Sequence, residues 1–348
     1  MANKLLGLTP KELKGLAVEI GLPAFAGKQI ADWIYKKKVR NIEEMTNLSK
    51  AAREKLAERY EVGVDAYTDM QASVDGTKKY LFPCHTGSSI EAVMIPSEDR
   101  YTLCVSSQAG CKMACAFCMT GRQGLKGNLT VAEILSQFIA VDERNELTNT
   151  VFMGMGEPLD NLSNVLKAIE VLTADWGFAW SPKRITLSSI GVNRALENLN
   201  GSSALQKYLD SNKCHLAISL HNIFPQERIE LMPMEKAFPI EDTLNLIYKY
   251  DFSGQRRVSF EYIMFDRIND TKRHADAIIK ELRGFECRVN LIRFHAIPDS
   301  PLRPSPTKVM ESFRDRLNSA GITTTIRASR GEDIFAACGM LAGKDKQK

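Results

Sequence analysis

No run of about 18 consecutive apolar residues occurs in the 348-residue chain, which leaves no candidate for a membrane-spanning helix. The opening residues, MANKLLGLTPKELKG, carry neither an apolar signal core nor a cleavage site, so the expected compartment is the cytoplasm and no membrane partner is expected. Thiols stay reduced there, and eight cysteines then read as ligands, reactive groups or core residues rather than as a disulfide framework. Internal repeats and low-complexity tracts are missing too, which excludes a repeat array; only the lysine-rich end, 344–348, reads as a frayed tail. Histidine is scarce, with five residues in all, and the net charge is only +4, which taken whole points to no particular partner.

The distribution of charge is more informative. Residues 1–60 hold 12 Lys/Arg against 7 Asp/Glu, so nearly all the excess sits there and the remainder is close to neutral. Lys36-Lys37-Lys38 with Arg40 is the densest part. Two readings stand: a solvated helix end with cations near its negative pole, or a small basic module that attracts a phosphate backbone.

The periodicity divides the chain. Residues 1–62 read as a small helical domain, with Thr9-Pro10-Lys11-Glu12 as a capping-box start and Gly21 as a stop. Ile30, Trp33 and Ile34 recur at helical spacing, as do Ala52, Leu56 and Ala57. From 63 to 98 the period becomes two, broken at Asp75-Gly76 and His85-Thr86-Gly87, which predicts a short β meander. Over 99–343 apolar strand candidates alternate with helices. The strands lie near 101–106, 150–154, 184–189, 214–220, 257–264, 287–294 and 322–327. Helical patterns cover 131–142, 161–173, 240–250, 271–283 and 307–319. Alternation of this kind requires parallel pairing with right-handed crossovers, and six such units predict an α/β fold that is most of a barrel, a partial (β/α)6 arrangement.

The stretch GCKMACAFC places Cys111, Cys115 and Cys118 within eight positions. Structural zinc wants a fourth ligand, normally from a second Cys or His pair. None follows nearby: the first histidine downstream is His215, and Cys214 has no partner at the right spacing. Iron–sulfur clusters are the other home for closely spaced thiolates. Three cysteines on a four-iron cluster leave one iron open, and the missing ligand is then a substrate or cofactor. Other polar groups gather at the carboxyl ends of the strand candidates, where barrel active sites form: Gly156-Glu157, Ser188, Ser219-Leu220-His221 and His295.

Cys111, Cys115 and Cys118, with Phe117 before the last, match the signature of the radical S-adenosylmethionine (SAM) superfamily. That resemblance implies a [4Fe-4S] cluster whose open iron chelates the methionine end of SAM, and reductive cleavage of SAM to a 5′-deoxyadenosyl radical. The runs LCVSSQAGCKMACAFCMTG, GMGEP, TLSSIGV, AISLH and AACGMLAG resemble the RlmN group of 23S rRNA adenine methyltransferases through nearly the whole chain. Two cysteines that would otherwise be buried hydrophobes then gain roles. The resemblance implies that Cys338 takes a methyl group from a first SAM, becoming S-methylcysteine. A radical from a second SAM activates that methyl, which adds to C2 of adenine. Cys104 resolves the adduct, leaving a Cys104–Cys338 disulfide. Cys84, Cys214 and Cys287 stay with the core residues.

Glu91 shares a strand face with Val93 and Ile95. A carboxylate there is either at an exposed strand end or held semi-buried with a raised pKa; the resemblance makes it the proton acceptor. By the same resemblance Gly156 and Glu157 meet the methionine ammonium, Ser188 the carboxylate or ribose, and Ser219, Leu220 and His221 the nucleoside. His295 stands where the family usually has asparagine. The implied substrates are 23S rRNA and the tRNA adenosine beside the anticodon, with flavodoxin as electron donor and a monomeric enzyme. Three rivals remain: a C8-specific sister methyltransferase, a radical SAM enzyme acting on a small molecule, and a zinc-stabilised RNA-binding module without catalysis.

Overall fold

The computed structural model describes residues 3–195, 197–255 and 257–342; the tail at 344–348 lies outside them. The first helix, Pro10–Glu19, begins as its capping box dictates: Thr9 Oγ1 accepts from the Glu12 N–H at 3.3 Å, and Glu12 Oε2 accepts from the Thr9 N–H at 2.6 Å. It crosses the helix Ala26–Ala31 at Gly27, where a Cβ would lie 2.5 Å from Lys14 Cα, so only glycine permits the approach. Ile30, Ile34 and Leu56 are fully buried beneath these helices, whereas Trp33 packs only partly. A short parallel pairing of Asn3–Lys4 with Tyr60–Glu61, which the periodicity does not announce, ties the two ends of this unit together.

The basic run lies along neighbouring segments, with Lys36, Lys37 and Arg40 exposed and Lys38 half-buried. Lys36 Nζ donates to the Asp175 carbonyl and Lys38 Nζ to the Arg144 carbonyl. Arg40 Nη2 donates to the carbonyls of Ile139 at 3.3 Å and Ala140 at 3.0 Å, at the end of the helix Val131–Ala140. Lys37 Nζ sits 3.4 Å from the centre of the Trp33 ring. The last carbonyls of a helix have no partner within it and carry its negative pole. Arg40 thus caps a helix end of the barrel, and Lys36 and Lys38 bind carbonyls in the turns that follow two of its helices, docking the N-terminal unit on it. These contacts are made to other segments of the chain, and the exposed side chains leave both readings of the run open.

A 10-stranded sheet forms the body. Its parallel part runs Arg100–Cys104, Asn149–Phe152, Ile185–Ser189, His215–Ser219, Val258–Met264, Cys287–Arg293 and Thr323–Ile326, in that spatial order. Each strand candidate of the sequence thus appears. Besides the expected crossover helices, the chain forms Ala204–Ser211 and Pro225–Leu231. The meander Asp69–Ala72, Lys78–Pro83 and Ser89–Ser97 is not separate: Ser89–Ser97 pairs antiparallel with Arg100–Cys104, with Val93 opposite Cys104, so it extends the same sheet. Among the described residues no helix is long and apolar enough to cross a membrane.

The barrel is open between its first and last strands, and the segment after Thr323–Ile326 returns across that gap. The Gly331 N–H donates to Asp75 Oδ2 at 3.0 Å, and Ser73 Oγ donates to Asp333 Oδ1 at 2.6 Å. Farther along, the Met119 N–H donates to the Gly339 carbonyl at 2.8 Å and Thr120 Oγ1 to the Leu341 carbonyl at 2.6 Å. Cys338 is thereby carried over the carboxyl ends of the strands.

Candidate active site

The cysteine loop leaves a two-stranded ribbon, Gln108–Cys111 against Gly124–Asn128. Gly110 has φ +71°, and a Cβ there would overlap the Gly124 carbonyl, so the turn into Cys111 requires glycine. The loop then closes on itself, with the Cys118 N–H donating to the Cys115 carbonyl at 3.1 Å and Cys118 opening the helix Met119–Arg122. The Ala116 N–H donates to the Leu231 carbonyl at 2.9 Å, which fixes the loop to the neighbouring crossover.

The three sulfurs face one cavity but stand apart. Among the described residues, the group of three metal-type ligands whose donor atoms all lie within 4.8 Å of one another is Cys84, His85 and Glu133, not the loop cysteines. A single zinc with bonds of about 2.3 Å would hold tetrahedral sulfurs about 3.8 Å apart. The three sulfurs are thus not gathered as a single tetrahedral ion would hold them. Burial pushes the Cys111 thiol up to about 12 and Cys115 well above its usual range, with repulsion between neighbouring sulfurs adding to it. Thiolates in such a place are stable only around a cationic centre.

Two connected lobes form the cavity, of 170 and 150 Å³. The 150 Å³ lobe holds Cys111, Cys115 and Cys118 together with Gly156, Glu157, Ser188, Ser219 and His221. The 170 Å³ lobe holds Cys104, His295 and Cys118. Met153, Gly154, Arg327 and Cys338 line both. Gly154 and Gly156 are glycines by necessity: a Cβ at 154 would meet the Val105 carbonyl oxygen at 2.7 Å, and one at 156 the Gln108 side chain at 2.5 Å.

Glu157 is the one buried carboxylate of the 150 Å³ lobe that follows a glycine turn. Its Oε1 accepts from the Leu159 N–H and its Oε2 from the Ile190 N–H, both at 3.0 Å. Burial raises its pKa to about 7 despite those bonds. His221, with φ +51°, is held neutral by burial, which depresses its pKa to about 3, and its Nδ1 accepts from the Ile263 N–H at 3.0 Å. Behind it lies Arg228, 1% exposed. Its Nε donates to the Leu220 carbonyl at 2.9 Å, its Nη2 to the Ser219 carbonyl at 2.8 Å, and its Nη1 pairs with Glu235. Loss of one partner of a buried pair costs about 3–5 kcal/mol, so this arginine anchors the strand end that carries Ser219 and His221.

Comparison with known proteins decides the family. Residues 3–62 match the model of the ribosomal RNA large subunit methyltransferase N-terminal domain, and residues 105–278 match that of the radical SAM superfamily. The chain is 59% identical over 338 residues to the "Probable dual-specificity RNA methyltransferase RlmN" of Porphyromonas gingivalis strain W83, covering 97% of this chain and 96% of that one. It is 38% identical over 338 residues to the "Dual-specificity RNA methyltransferase RlmN" of Syntrophus aciditrophicus, covering 96% and 94%. The crystal structure of a radical SAM methyltransferase from Sphaerobacter thermophilus superposes with a TM-score of 0.89 at 34% identity, covering 97% of this chain and 99% of that one. The chain belongs to the RlmN family of radical SAM RNA methyltransferases.

Membership in the RlmN family brings a four-iron cluster and SAM, and the donor set suits the cluster: three cysteine sulfurs line one cavity, not all within 4.8 Å of one another, with the Glu157 carboxylate on the same wall. The remaining site residues fall as follows. Cys104 ends its strand at 9% exposure, its thiol pushed up to about 12 by burial and by the nearby Cys338. Cys338 is exposed, and all eight cysteines are free thiols, so the expected Cys104–Cys338 disulfide is not formed. Cys84, Cys214 and Cys287 are buried in the core.

Three placements differ from the sequence reading. Leu220 is 0% exposed and lines neither lobe; only its carbonyl serves the site, through Arg228. His295 lines the 170 Å³ lobe with Cys104, apart from the Glu157 wall, and its Nε2 lies 3.0 Å from Ser329 Oγ. Glu91 is buried, not at an exposed strand end, but its carboxylate reaches neither lobe: Lys79 Nζ lies 3.2 Å from Oε1, and the Ala342 N–H donates to Oε2 at 2.9 Å.

Two residues escaped the sequence reading. Glu261 is buried on the wall of the 150 Å³ lobe, and Arg327 pairs with it at 3.3 Å while facing both lobes. The signal for Glu261 was available, a carboxylate inside the apolar strand VSFEYIM, the same signal that singled out Glu91.

Proposed function

We propose that this enzyme methylates C2 of an adenosine in the peptidyl-transferase region of 23S rRNA, and of the adenosine beside the anticodon in tRNA. Cys338 is the methyl carrier, Cys104 the resolving thiol and Glu91 the proton acceptor. The observation that carries the reading is the position of Cys338, which lines both lobes: beside the cluster cysteines on one side and beside Cys104 on the other. One sulfur so placed can take a methyl group in one lobe and surrender it in the other.

Cys111, Cys115 and Cys118 would hold the cluster. Glu157, with the Gly156 backbone, would meet the methionine ammonium, while Ser188, Ser219 and His221 line the space for the rest of SAM. The cluster–SAM pair supplies the one-electron chemistry that C2 of adenine requires, since that carbon is neither acidic nor nucleophilic. Cys338 does the confining: a sulfur tether keeps the reacting carbon next to the target base. The unpaired electron that radical addition leaves on the base would return to the cluster, and Glu91 takes the C2 proton, which requires Ala342 to withdraw from its carboxylate. Cys104 thiolate then bonds to the Cys338 sulfur. The sulfur–carbon bond breaks with its electron pair on carbon, which takes a proton to become the methyl group. The disulfide left behind is reduced by two electrons from cytoplasmic thiols.

Arg327 and His295 complete the base-binding lobe, and reaching C2 calls for an extruded nucleotide. The exposed Lys11, Lys14 and Lys28, on the two helices that cross at Gly27, supply attraction for phosphate together with the exposed Lys36, Lys37 and Arg40. A flavodoxin-type protein donates the electron, and the enzyme works as a cytoplasmic monomer. Mass spectrometry of the modified nucleoside tests the reading: fragmentation should map the methyl to C2, whereas a methyl at C8 assigns the chain to the sister activity.

A further inference from the structure

We propose that Phe335 is a stacking platform for an unpaired base next to the target adenosine, an inference that rests on the RNA methyltransferase reading above. Phe335 immediately precedes Ala336, Ala337 and Cys338, all of which line the 170 Å³ lobe, so it stands at the rim of that lobe. It is 60% exposed, whereas its neighbour Ile334 packs on the core. Its backbone is left-handed, φ +53° and ψ +42°, closing the short helix Glu332–Ile334 at a position where glycine is the unstrained choice. A bulky ring in that conformation is an outlier, and among the described residues no aromatic partner lies against Phe335.

The backbone that carries the ring is nevertheless held. Asp75 and Ser73 grip Gly331 and Asp333 just before it, and Lys79 Nζ reaches the Phe335 carbonyl at 3.5 Å. A tethered loop that leaves an aromatic ring exposed next to the 170 Å³ lobe is preorganised for a flat, apolar ligand. Arg330, exposed on the same rim, adds the charge that a phosphate backbone requires. Nucleotides satisfy both demands, because each has a base with a π face and a phosphate on its sugar.

The test measures binding of a 23S rRNA transcript containing the target adenosine to anaerobically reconstituted protein. Stacking of one base is worth on the order of a 5- to 150-fold change in affinity. Phe335→Ala and Phe335→Leu should both weaken binding by that factor, while Phe335→Trp should restore it, because leucine keeps the apolar bulk but has no π face. Folding is followed in parallel, and Phe335→Gly, which relieves the left-handed strain, should melt no lower than the native chain. Native affinity in the Ala and Leu variants would overturn the proposal. So would unchanged RNA binding combined with slower reduction by the electron-donor protein, which would assign the ring to a protein partner. Failure of the native chain itself to bind the transcript would instead refute the RNA reading on which the inference rests.

Discussion

Cys104→Ala should yield protein that carries covalently attached RNA after purification. Cys104 ends a strand at 9% exposure and shares a lobe with Cys338, so it is placed to reach the Cys338 sulfur once the base has been alkylated. Without it the last bond to the enzyme has no thiol to break it, and turnover stops at the adduct. Denaturing gels with and without ribonuclease, followed by mass spectrometry of the Cys338 peptide, read the outcome. A nucleotide mass on Cys338 is the expected result; free RNA only, or a fully active variant, would remove both cysteines from their roles. The small side chain should leave the fold nearly intact, since truncating a cysteine at a strand end removes a single buried sulfur.

SAM binding should weaken as the solution is acidified through neutrality, and Glu157→Gln should abolish that dependence. Burial lifts the Glu157 carboxyl from 4.5 to about 7. In the ligand-free protein it is therefore neutral below about 7, and its burial costs stability as pH rises from 4.5 through 7. An ammonium group pairs with the charged form, so affinity is full above pH 7 and falls up to tenfold for each unit below it. Removing one partner of a buried, hydrogen-bonded charge pair costs about 2–5 kcal/mol, roughly 30- to 5,000-fold in affinity. Equilibrium dialysis of labelled SAM against reconstituted protein between pH 6 and 8 measures both effects. Native affinity in Glu157→Gln, or a pH slope that survives it, would place the ammonium elsewhere.

Much of the framework could be read from the chain because periodicity reports local burial. The strand candidates and the long crossovers show it, as does the capping box at Thr9. Ala204–Ser211 and Pro225–Leu231 were missed because each is short and flanked by Ser, Asn or Pro, residues that serve loops and helix starts alike. Charge was legible in sign and density but not in direction: whether Lys36, Lys38 and Arg40 face water or a neighbouring helix end depends on contacts about a hundred residues away. Register explains the other omissions. Glu261 lies opposite Ser219 on one side and Asn290 on the other, and it meets Arg327 across 66 residues, none of which a single-sequence pattern encodes. Glu91 was legible as a carboxylate on an apolar face, but its cover, the Ala342 amide, comes from the far end of the chain.

The wide placement of three thiolates around an open cavity is the feature from which the rest follows. Metal analysis of protein purified and reconstituted without oxygen tests it most directly. The account predicts a brown protein with about four irons and four sulfides per chain, both lost in Cys115→Ala. A colourless protein holding one zinc and no iron would contradict it.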